Sequence, residues 1–194
     1  MYPMYQIGYD NYIFPRQVAI ILNAHFNEPV KKLVRKAKKE NKLFNTTQGK
    51  KTQSIIVLKS GELIQSMIRS VTIKNRYIDD IARLNSMNDG RLLYEPLLHL
   101  GFNNFLHPEN IKAVLNYNTH SVKKLVWTAK EEGTLIDITK KKRMESVLVL
   151  NSGQLVLTSK SPKVIKNRYN NYLQVNNTNS IEEENNEFGD DEDV

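Results

Sequence analysis

Two short stretches of this chain show that it contains an internal repeat, because each of them occurs twice. Residues 30–34 (VKKLV) return unchanged as residues 122–126, and residues 73–77 (IKNRY) return unchanged as residues 165–169. Around these anchors the two halves align with an offset of 93 residues, which becomes 92 after about position 26, and they share 27 identities over about 73 positions. A period this long predicts duplicated domains and not a solenoid of short repeats.

Both halves predict the same order of elements. The apolar residues of 30–37 fall at positions i, i+3, i+4 and i+7, which is the spacing of one helical face. In the second half the matching helix runs from about Ser121 to Glu132, and Gly133 is placed to end it. The other predicted elements of the first half are strands at 4–7, 18–22 and 43–45, a turn at 8–11, a hairpin of 54–58 with 62–66, and a helix from about Ser70.

The fold class expected from this order is α+β: two tandem copies of a small domain, each with a short-stranded antiparallel sheet and two helices. The helical spacing of Ile78, Ile81 and Leu84 extends the last helix of the first half to about Leu84. The connection is short, so we expect the units to lie side by side. The expected boundaries are 1–84 for the first unit, 85–96 for the linker, 97–173 for the second unit and 174–194 for the tail.

The charge of the chain is divided between a basic body and an acidic tail. The formal net charge is +7, but residues 170–194 contain 8 acids and no Lys or Arg. Residues 1–169 therefore hold all 28 Lys+Arg with the other 13 acids, a net charge of +15. Such a field concentrates polyanions, nucleic acid among them. The Asn- and acid-rich tail is expected to be disordered, and it could mimic nucleic acid and compete for the basic face.

Several classes of protein are disfavoured by what the sequence lacks. Without cysteine there are no disulfides, thiolate metal sites or Cys nucleophiles. The four histidines have no metal-site spacing, and no Gly-rich phosphate loop or nucleophile elbow occurs. We therefore expect no enzyme activity, no cofactor and no metal. No signal peptide and no membrane span of about 18–20 apolar residues is recognisable, so a cytoplasmic protein that does not contact membrane is expected.

The strongest local signal for function is a basic loop before each predicted hairpin. It reads TQGKKT at residues 47–52 and TKKKR at residues 139–143. One such loop is readily explained as a solvated surface segment, but its recurrence at the same place favours a contact with phosphates. The candidate nucleic-acid-binding residues in these loops are Lys50, Lys51, Lys140, Lys141, Lys142 and Arg143.

The basic helix faces are less specific, because any exposed helix presents charged residues to solvent. Aromatic residues are not interleaved with the basic clusters, and Tyr9 and Phe102 look like core or subunit contacts. Trp127 replaces Arg35 on the outer side of the second helix, where an exposed Trp indicates an interface. The further candidates for nucleic-acid binding are Lys31, Lys32, Lys123 and Lys124 on the helices, with Arg16 before the second predicted strand.

Three segments of each unit carry a family resemblance, in the same order and spacing. They are IGYDN at 7–11 and LGFNN at 100–104, PVKK at 29–32 and SVKK at 121–124, and LFNTTQGKKT at 43–52 and LIDITKKKRM at 135–144. They resemble the segments Ile-Gly-Phe-Gly-Asn, Pro-Ile-Lys-Arg and Leu-Ile-Asp-Ala-Thr-x-Gly-Arg-Arg-Thr of the bacterial RemA-like family, small regulators of extracellular-matrix genes. The resemblance covers nearly all of both units.

The resemblance implies DNA binding by a ring-like homo-oligomer, with the Arg-Arg pair of the loop on the DNA face. That pair corresponds here to Lys50 and Lys51 and to Lys142 and Arg143. Lysine keeps the charge but loses the bidentate geometry of arginine, which favours backbone contact over base readout. The family also has a basic residue just before its second strand, where this chain has Gln17 and Asn110 instead, with Arg16 adjacent to the first.

The function expected from the sequence is a nucleoid-associated DNA-binding transcription regulator or architectural protein, oligomeric, that grips the backbone of double-stranded DNA. Two alternatives remain open at this point. The basic face of a scaffold module would bind an acidic protein partner, and an RNA-binding protein would use the same cations on a different nucleic acid.

Overall fold

The computed structural model describes residues 4–24, 27–87 and 97–171, which form two copies of one α+β unit. The expected linker lies outside these described residues from position 88 onward, and the tail expected at 174–194 lies outside them entirely. The domain boundaries given above therefore stay predictions.

The first unit contains six strands and two helices. They are β1 (Tyr5–Gly8), β2 (Asn11–Ile13), β3 (Val18–Asn23), α1 (Glu28–Lys39), β4 (Leu43–Asn45), β5 (Ser54–Leu58), β6 (Leu63–Ser66) and α2 (Ser70–Met87). The second unit repeats this order with β7 (Leu98–Gly101), β8 (Asn104–Leu106), β9 (Ile111–Asn116), α3 (His120–Glu132), β10 (Leu135–Asp137), β11 (Ser146–Leu150), β12 (Leu155–Thr158) and a helix over residues 162–171, here α4. One 3-10 turn (Pro15–Gln17) precedes β3 and another (Pro108–Asn110) precedes β9.

The helix ends follow the local sequence signals. Asn27 caps α1, because its side chain accepts a hydrogen bond of 3.2 Å from the backbone N–H of Val30. Gly133 ends α3 in the left-handed region at φ +67°, as predicted. Helix α2 begins at Ser70 as predicted and continues to Met87, beyond the expected end near Leu84.

The sheets are larger than expected and are mixed. The first sheet has six strands in the order β4-β6-β5-β3-β8-β7, and the second has four in the order β10-β12-β11-β9. The prediction of purely antiparallel sheets is wrong, because β4 pairs with β6, and β10 with β12, in parallel. The reason is the connection: the chain reverses before and after the intervening strand, so β4 and β6 both run opposite to β5.

The β7–β8 hairpin of the second unit belongs to the sheet of the first. Strand β8 pairs antiparallel with β3, with Ile20 opposite Leu106 and Ile21 opposite Phe105. The matching β1–β2 hairpin forms a two-stranded sheet of its own, and β9 is the last strand on its side of the second sheet. The sequence predicted a turn between β1 and β2, but it predicted neither β2 as a strand nor this exchange between units.

Helix α1 lies between the two sheets and joins their cores. Val30 and Leu33 belong to one buried cluster with Ile20 of the first sheet and with Ile136 and Leu148 of the second. This shared core fixes the units side by side, as the short connection suggested. We use the term internal junction for the contact between the two units. The first unit contributes β3, α1, α2 and the turn after β5, and the second contributes the β7–β8 hairpin, the 3-10 turn that follows it, α3 and β10.

Candidate nucleic-acid interface

The two basic loops are anchored by the same side-chain turn. Thr47 is buried, and its N–H and hydroxyl both donate to Asn45 Oδ1 at 3.0 and 2.7 Å. Thr139 is likewise buried and donates twice to Asp137 Oδ1, at 2.9 and 2.8 Å. Such turns fix the backbone locally. One anchored loop is therefore built twice, at the end of β4 and at the end of β10.

The backbone beyond each anchor bends in the same way. Gln48 and Gly49 have φ angles of 49° and 80°, and Lys140 and Lys141 have 50° and 67°. Two consecutive left-handed residues turn the chain sharply. The second of them is a glycine in the first loop, which adopts this conformation without strain, and a lysine in the second loop. The cations of both loops therefore lie on a turn of defined backbone conformation.

Replacing Lys141 by glycine should stabilise the protein, because a lysine at φ 67° carries a steric cost that glycine lacks. We expect a gain of about 0.5–1 kcal/mol in the free energy of unfolding. Urea denaturation of Lys141→Gly beside Lys142→Gly measures it, since both variants lose one lysine and only the first position is left-handed. Equal stabilities for the two variants would show that the backbone is not strained there.

The loop cations are exposed except for Lys140, which is half-buried, and two cations of the second loop lie against an aromatic ring. Lys50, Lys51 and Arg143 are exposed. Lys140 Nζ and Lys142 Nζ lie 4.8 and 5.3 Å from the ring centroid of Phe102. Sequence reasoning placed Phe102 among core or subunit contacts, but it lies beneath these lysines, where its ring face attracts them. No local signal connects it with a loop nearly 40 residues later.

The second basic loop borders a cavity of about 530 Å³ at the internal junction. Leu22, Asn23 and Val30 line it from the first unit, and Ile138 and Lys142 are among the residues that line it from the second. The loop therefore lies where the two units meet, close to the start of α1.

The remaining candidate residues do not gather around the loops. Lys31 is paired with Glu28 at 3.0 Å, and Lys32 with Glu131 of the second unit at 3.5 Å, so Lys32 is a junction residue. Lys123 and Lys124 are exposed on α3, and Arg16 lies in the 3-10 turn before β3. The structure therefore supports the loop cations more strongly than the helix cations as candidate contacts.

A buried histidine lies in the internal junction. The ring of His107 meets that of Tyr77 edge-on, with centroids 5.3 Å apart. Burial lowers the pKa of His107 to about 4, an effect that Glu109 opposes and Lys59 reinforces. His107 is therefore neutral at pH 7 and acts as a packing residue. The ring of His99 stacks on that of Phe105, with centroids 5.2 Å apart.

Within the described ranges the structure offers little for other kinds of site. No group of three His, Cys, Asp or Glu residues there is placed to hold a metal ion. No helix in the same ranges is long and apolar enough to cross a membrane.

These features define a duplicated α+β protein with one anchored cationic loop in each unit. The chain belongs to the RemA-like family, described as Extracellular matrix regulatory protein A-like, which matches residues 4–77 and 97–169. The resemblance drawn from the three segments is thereby confirmed, in both copies.

Relatives from three bacteria match a stretch of the chain about as long as one unit. The protein from Fervidobacterium nodosum is 36% identical over 84 residues, which are 43% of this chain and 89% of the relative. The protein from Thermotoga neapolitana is 34% identical over 92 residues, 47% and 99% of the two chains. The protein from Maridesulfovibrio salexigens is 38% identical over 74 residues, 38% and 85%. Each is named "Putative regulatory protein", so the names support a regulatory role, and this chain carries about two of their lengths.

Proposed function

We propose that this protein is a DNA-binding regulator that grips the phosphate backbone of duplex DNA through its two basic loops. The observation that carries the proposal is the repeated construction of the loop. The same threonine anchor and the same left-handed pair of residues present exposed cations in both units. Anchored ammonium and guanidinium groups release the counterions of neighbouring phosphates when they bind, and this release drives association. The names of the relatives support regulation, and the family resemblance points to DNA.

The proposal includes assembly of copies of the chain from head to tail. The head surface is the β1–β2 hairpin with β4, and its Phe44 is 52% exposed, whereas the counterpart Ile136 is fully buried in the internal junction. The tail surface, a name that does not refer to the acidic tail of residues 174–194, is the β9 edge with α3 and α4. Its Leu125 is 41% exposed, whereas the counterpart Leu33 is 4% exposed.

In further pairs of counterparts, the residue on the head or tail surface is exposed and its counterpart in the internal junction is buried. On the head surface Tyr12 and Phe14 are exposed, and their counterparts Phe105 and His107 are buried. On the tail surface Val114 and Tyr169 are exposed, and their counterparts Ile21 and Tyr77 are buried in the internal junction. Exposed apolar residues whose counterparts are buried in a contact favour an interaction site at the same place.

A head surface that meets a tail surface repeats one rotation and translation at every step. Such a contact closes into a ring or continues as a helix. Either product sets the basic loops in a row, and their contacts with one DNA molecule reinforce each other because the later ones are intramolecular. The proposed assembly thus explains how loops with few cations could hold DNA.

Reversing the loop charges should abolish most of the affinity for duplex DNA. We expect Lys50→Glu with Lys51→Glu, and Lys142→Glu with Arg143→Glu, each to weaken binding roughly 30-fold at about 0.1 M salt. The slope of log affinity against log salt should also fall by nearly one for each lost phosphate contact. Gel shift or fluorescence anisotropy at two salt concentrations measures both quantities.

The matched control is Lys38→Glu with Lys130→Glu, which changes the charge by the same amount on exposed helix faces. We expect this variant to weaken binding by about threefold or less, through the overall field alone. If control and loop variants weaken binding equally, the loops are not the contact. Tighter binding to an RNA duplex of the same sequence would favour RNA as the ligand.

The scaffold alternative predicts no binding to either nucleic acid, with or without residues 174–194. Deletion of this acidic segment should tighten DNA binding if the segment competes for the basic loops. An unchanged affinity would exclude that competition and leave the DNA proposal intact.

A further inference from the structure

Two ion pairs cross the internal junction. Lys32 Nζ lies 3.5 Å from Glu131 Oε2, and Lys59 Nζ lies 2.6 Å from Glu109 Oε1. Each pair joins a cation of the first unit to an acid of the second. The internal junction is therefore complementary in charge as well as apolar.

Neutral hydrogen bonds also cross the junction, and the duplication preserves their residues. The backbone N–H of Asn23 donates to Asn104 Oδ1 at 3.0 Å. The counterparts of these two residues are Asn116 on the tail surface and Asn11 on the head surface. Asn11 Nδ2 donates to the carbonyl of Gly8 at 2.7 Å, as Asn104 Nδ2 does to that of its own turn at 2.8 Å. The hairpin tip of the head surface is thus already shaped for the same contact.

The duplication does not preserve the ion pairs. The counterparts of Lys32 and Glu131 are Lys124 and Lys39, which turns an attractive pair into two like charges. The counterparts of Lys59 and Glu109 are Asn151 and Arg16, which removes the second pair. Lys39 and Lys124 are both exposed in the single chain, so nothing in it prevents them from meeting across two copies.

We infer that the contact between copies is a charge-mismatched version of the internal junction, in which Lys124 of one copy faces Lys39 of the next and opposes association. The inference rests on the head-to-tail assembly of the proposed function. At the position of the Lys59–Glu109 pair, one attraction between copies remains. Glu109 faces Arg16 and Lys59 within its own chain, and it would also face Arg16 of the next copy. Beside the two lysines of the corresponding pair, Glu40 follows Lys39 in the chain but is already paired with Lys36 and Lys42. Each copy moreover carries a net charge of +7, which adds a general repulsion.

The mismatch makes chain association and DNA binding respond to salt in opposite directions. Salt screens the repulsion between exposed lysines, so copies should associate more tightly as ionic strength rises. Binding to DNA weakens over the same range because counterion release becomes less favourable. A polyanion that neutralises the copies should therefore promote their association, which couples assembly to occupancy of the basic loops.

The test is a charge-swap cycle on the full chain without DNA. Sedimentation velocity over a concentration series measures association of the wild type, Lys39→Glu, Lys124→Glu and the double variant. Each single reversal creates a Lys–Glu pair and should lower the concentration for half-association about five- to tenfold. The double variant places two glutamates together and should return towards the wild type, since facing residues are not additive. Salt should tighten wild-type association strongly and should tighten each single variant less, because only the general repulsion of the net charge is then left to screen.

Lys38→Glu is the control, because it removes the same charge from a neighbouring position of α1. If it tightens association as much as Lys39→Glu, only net charge matters and the facing pair is refuted. Additive effects of the two reversals, or no effect of either, would refute it as well. A chain that stays monomeric at every concentration and salt would instead contradict the head-to-tail assembly itself.

Discussion

A chain with a charged tail surface should stay monomeric where the wild type assembles. Val114→Asp with Leu125→Glu places two carboxylates at positions whose counterparts, Ile21 and Leu33, are buried in the internal junction. Burying unpaired charge costs several kcal/mol, so the association constant should fall at least about a hundredfold. Both residues are exposed within the single chain, so the fold should tolerate the changes. Sedimentation velocity and circular dichroism together measure mass and fold.

Mixing variants tests the direction of the contact. A head-blocked chain, Phe14→Glu with Phe44→Glu, should also be monomeric alone, because its own head surface is spoiled. The chain with Val114→Asp and Leu125→Glu keeps an intact head surface, and the head-blocked chain keeps an intact tail surface. An equimolar mixture of the two should therefore form a dimer and nothing larger. A dimer of either blocked chain alone would indicate a two-fold contact and contradict the head-to-tail arrangement.

Val164→Glu serves as the control for added surface charge. Val164 is 36% exposed and its counterpart Thr72 is also exposed, so neither is buried at the internal junction. This variant should assemble as the wild type does. If it too becomes monomeric, charge anywhere on the surface suffices, and the blocked variants say nothing about the contact.

Acid should destabilise the protein through His107. Its pKa is about 4 in the folded state, where burial disfavours the charged ring, against 6.5 as the ordinary value. Between these two values the unfolded chain binds more protons than the folded chain, so stability falls as pH is lowered through this window and is fully present above it. The loss between pH 7 and pH 4.5 should be roughly 2–3 kcal/mol.

The comparison variant comes from the other half of the chain, where Phe14 is the counterpart of His107. His107→Phe keeps an aromatic ring against Tyr77 but cannot take up a proton. Urea denaturation at pH 7 and pH 4.5 should show a smaller loss for this variant, by roughly 2–3 kcal/mol. Glu109 and the other carboxylates titrate in both proteins, so the difference reports the imidazole together with its electrostatic interaction with Glu109. Equal losses would mean that His107 is accessible to protons in the folded state.

Local structure was largely predictable, because its causes are local. The apolar spacing of α1, the glycine at the end of α3 and the β5–β6 hairpin all follow from residues close together in sequence. The basic loops were also found from sequence, since repetition made an ordinary run of lysines informative. The partner of those lysines, Phe102, was not, because only the tertiary fold brings it there.

Which sheet receives each hairpin could not be predicted, for a physical reason. The turns at Gly8–Asn11 and Gly101–Asn104 form alike, with matching left-handed residues. Strands β2 and β8 have three residues each, too few for periodicity to reveal. Their final position depends on an open strand edge in a neighbouring unit, which is a property of the assembly and not of the segment. Leu33 and Leu125 make the same point, since identical stretches have opposite exposure.

The covalent connection between the two units of one chain also imposes a rule of parity. Every chain brings its units in twos, so a closed assembly of whole chains must contain an even number of units. Single-unit relatives are under no such restriction and can close with an odd number. If the rotation at each step favoured an odd ring, this chain would have to strain its contacts or leave the circle open. Duplication therefore selects among the closed symmetries before any ligand is bound.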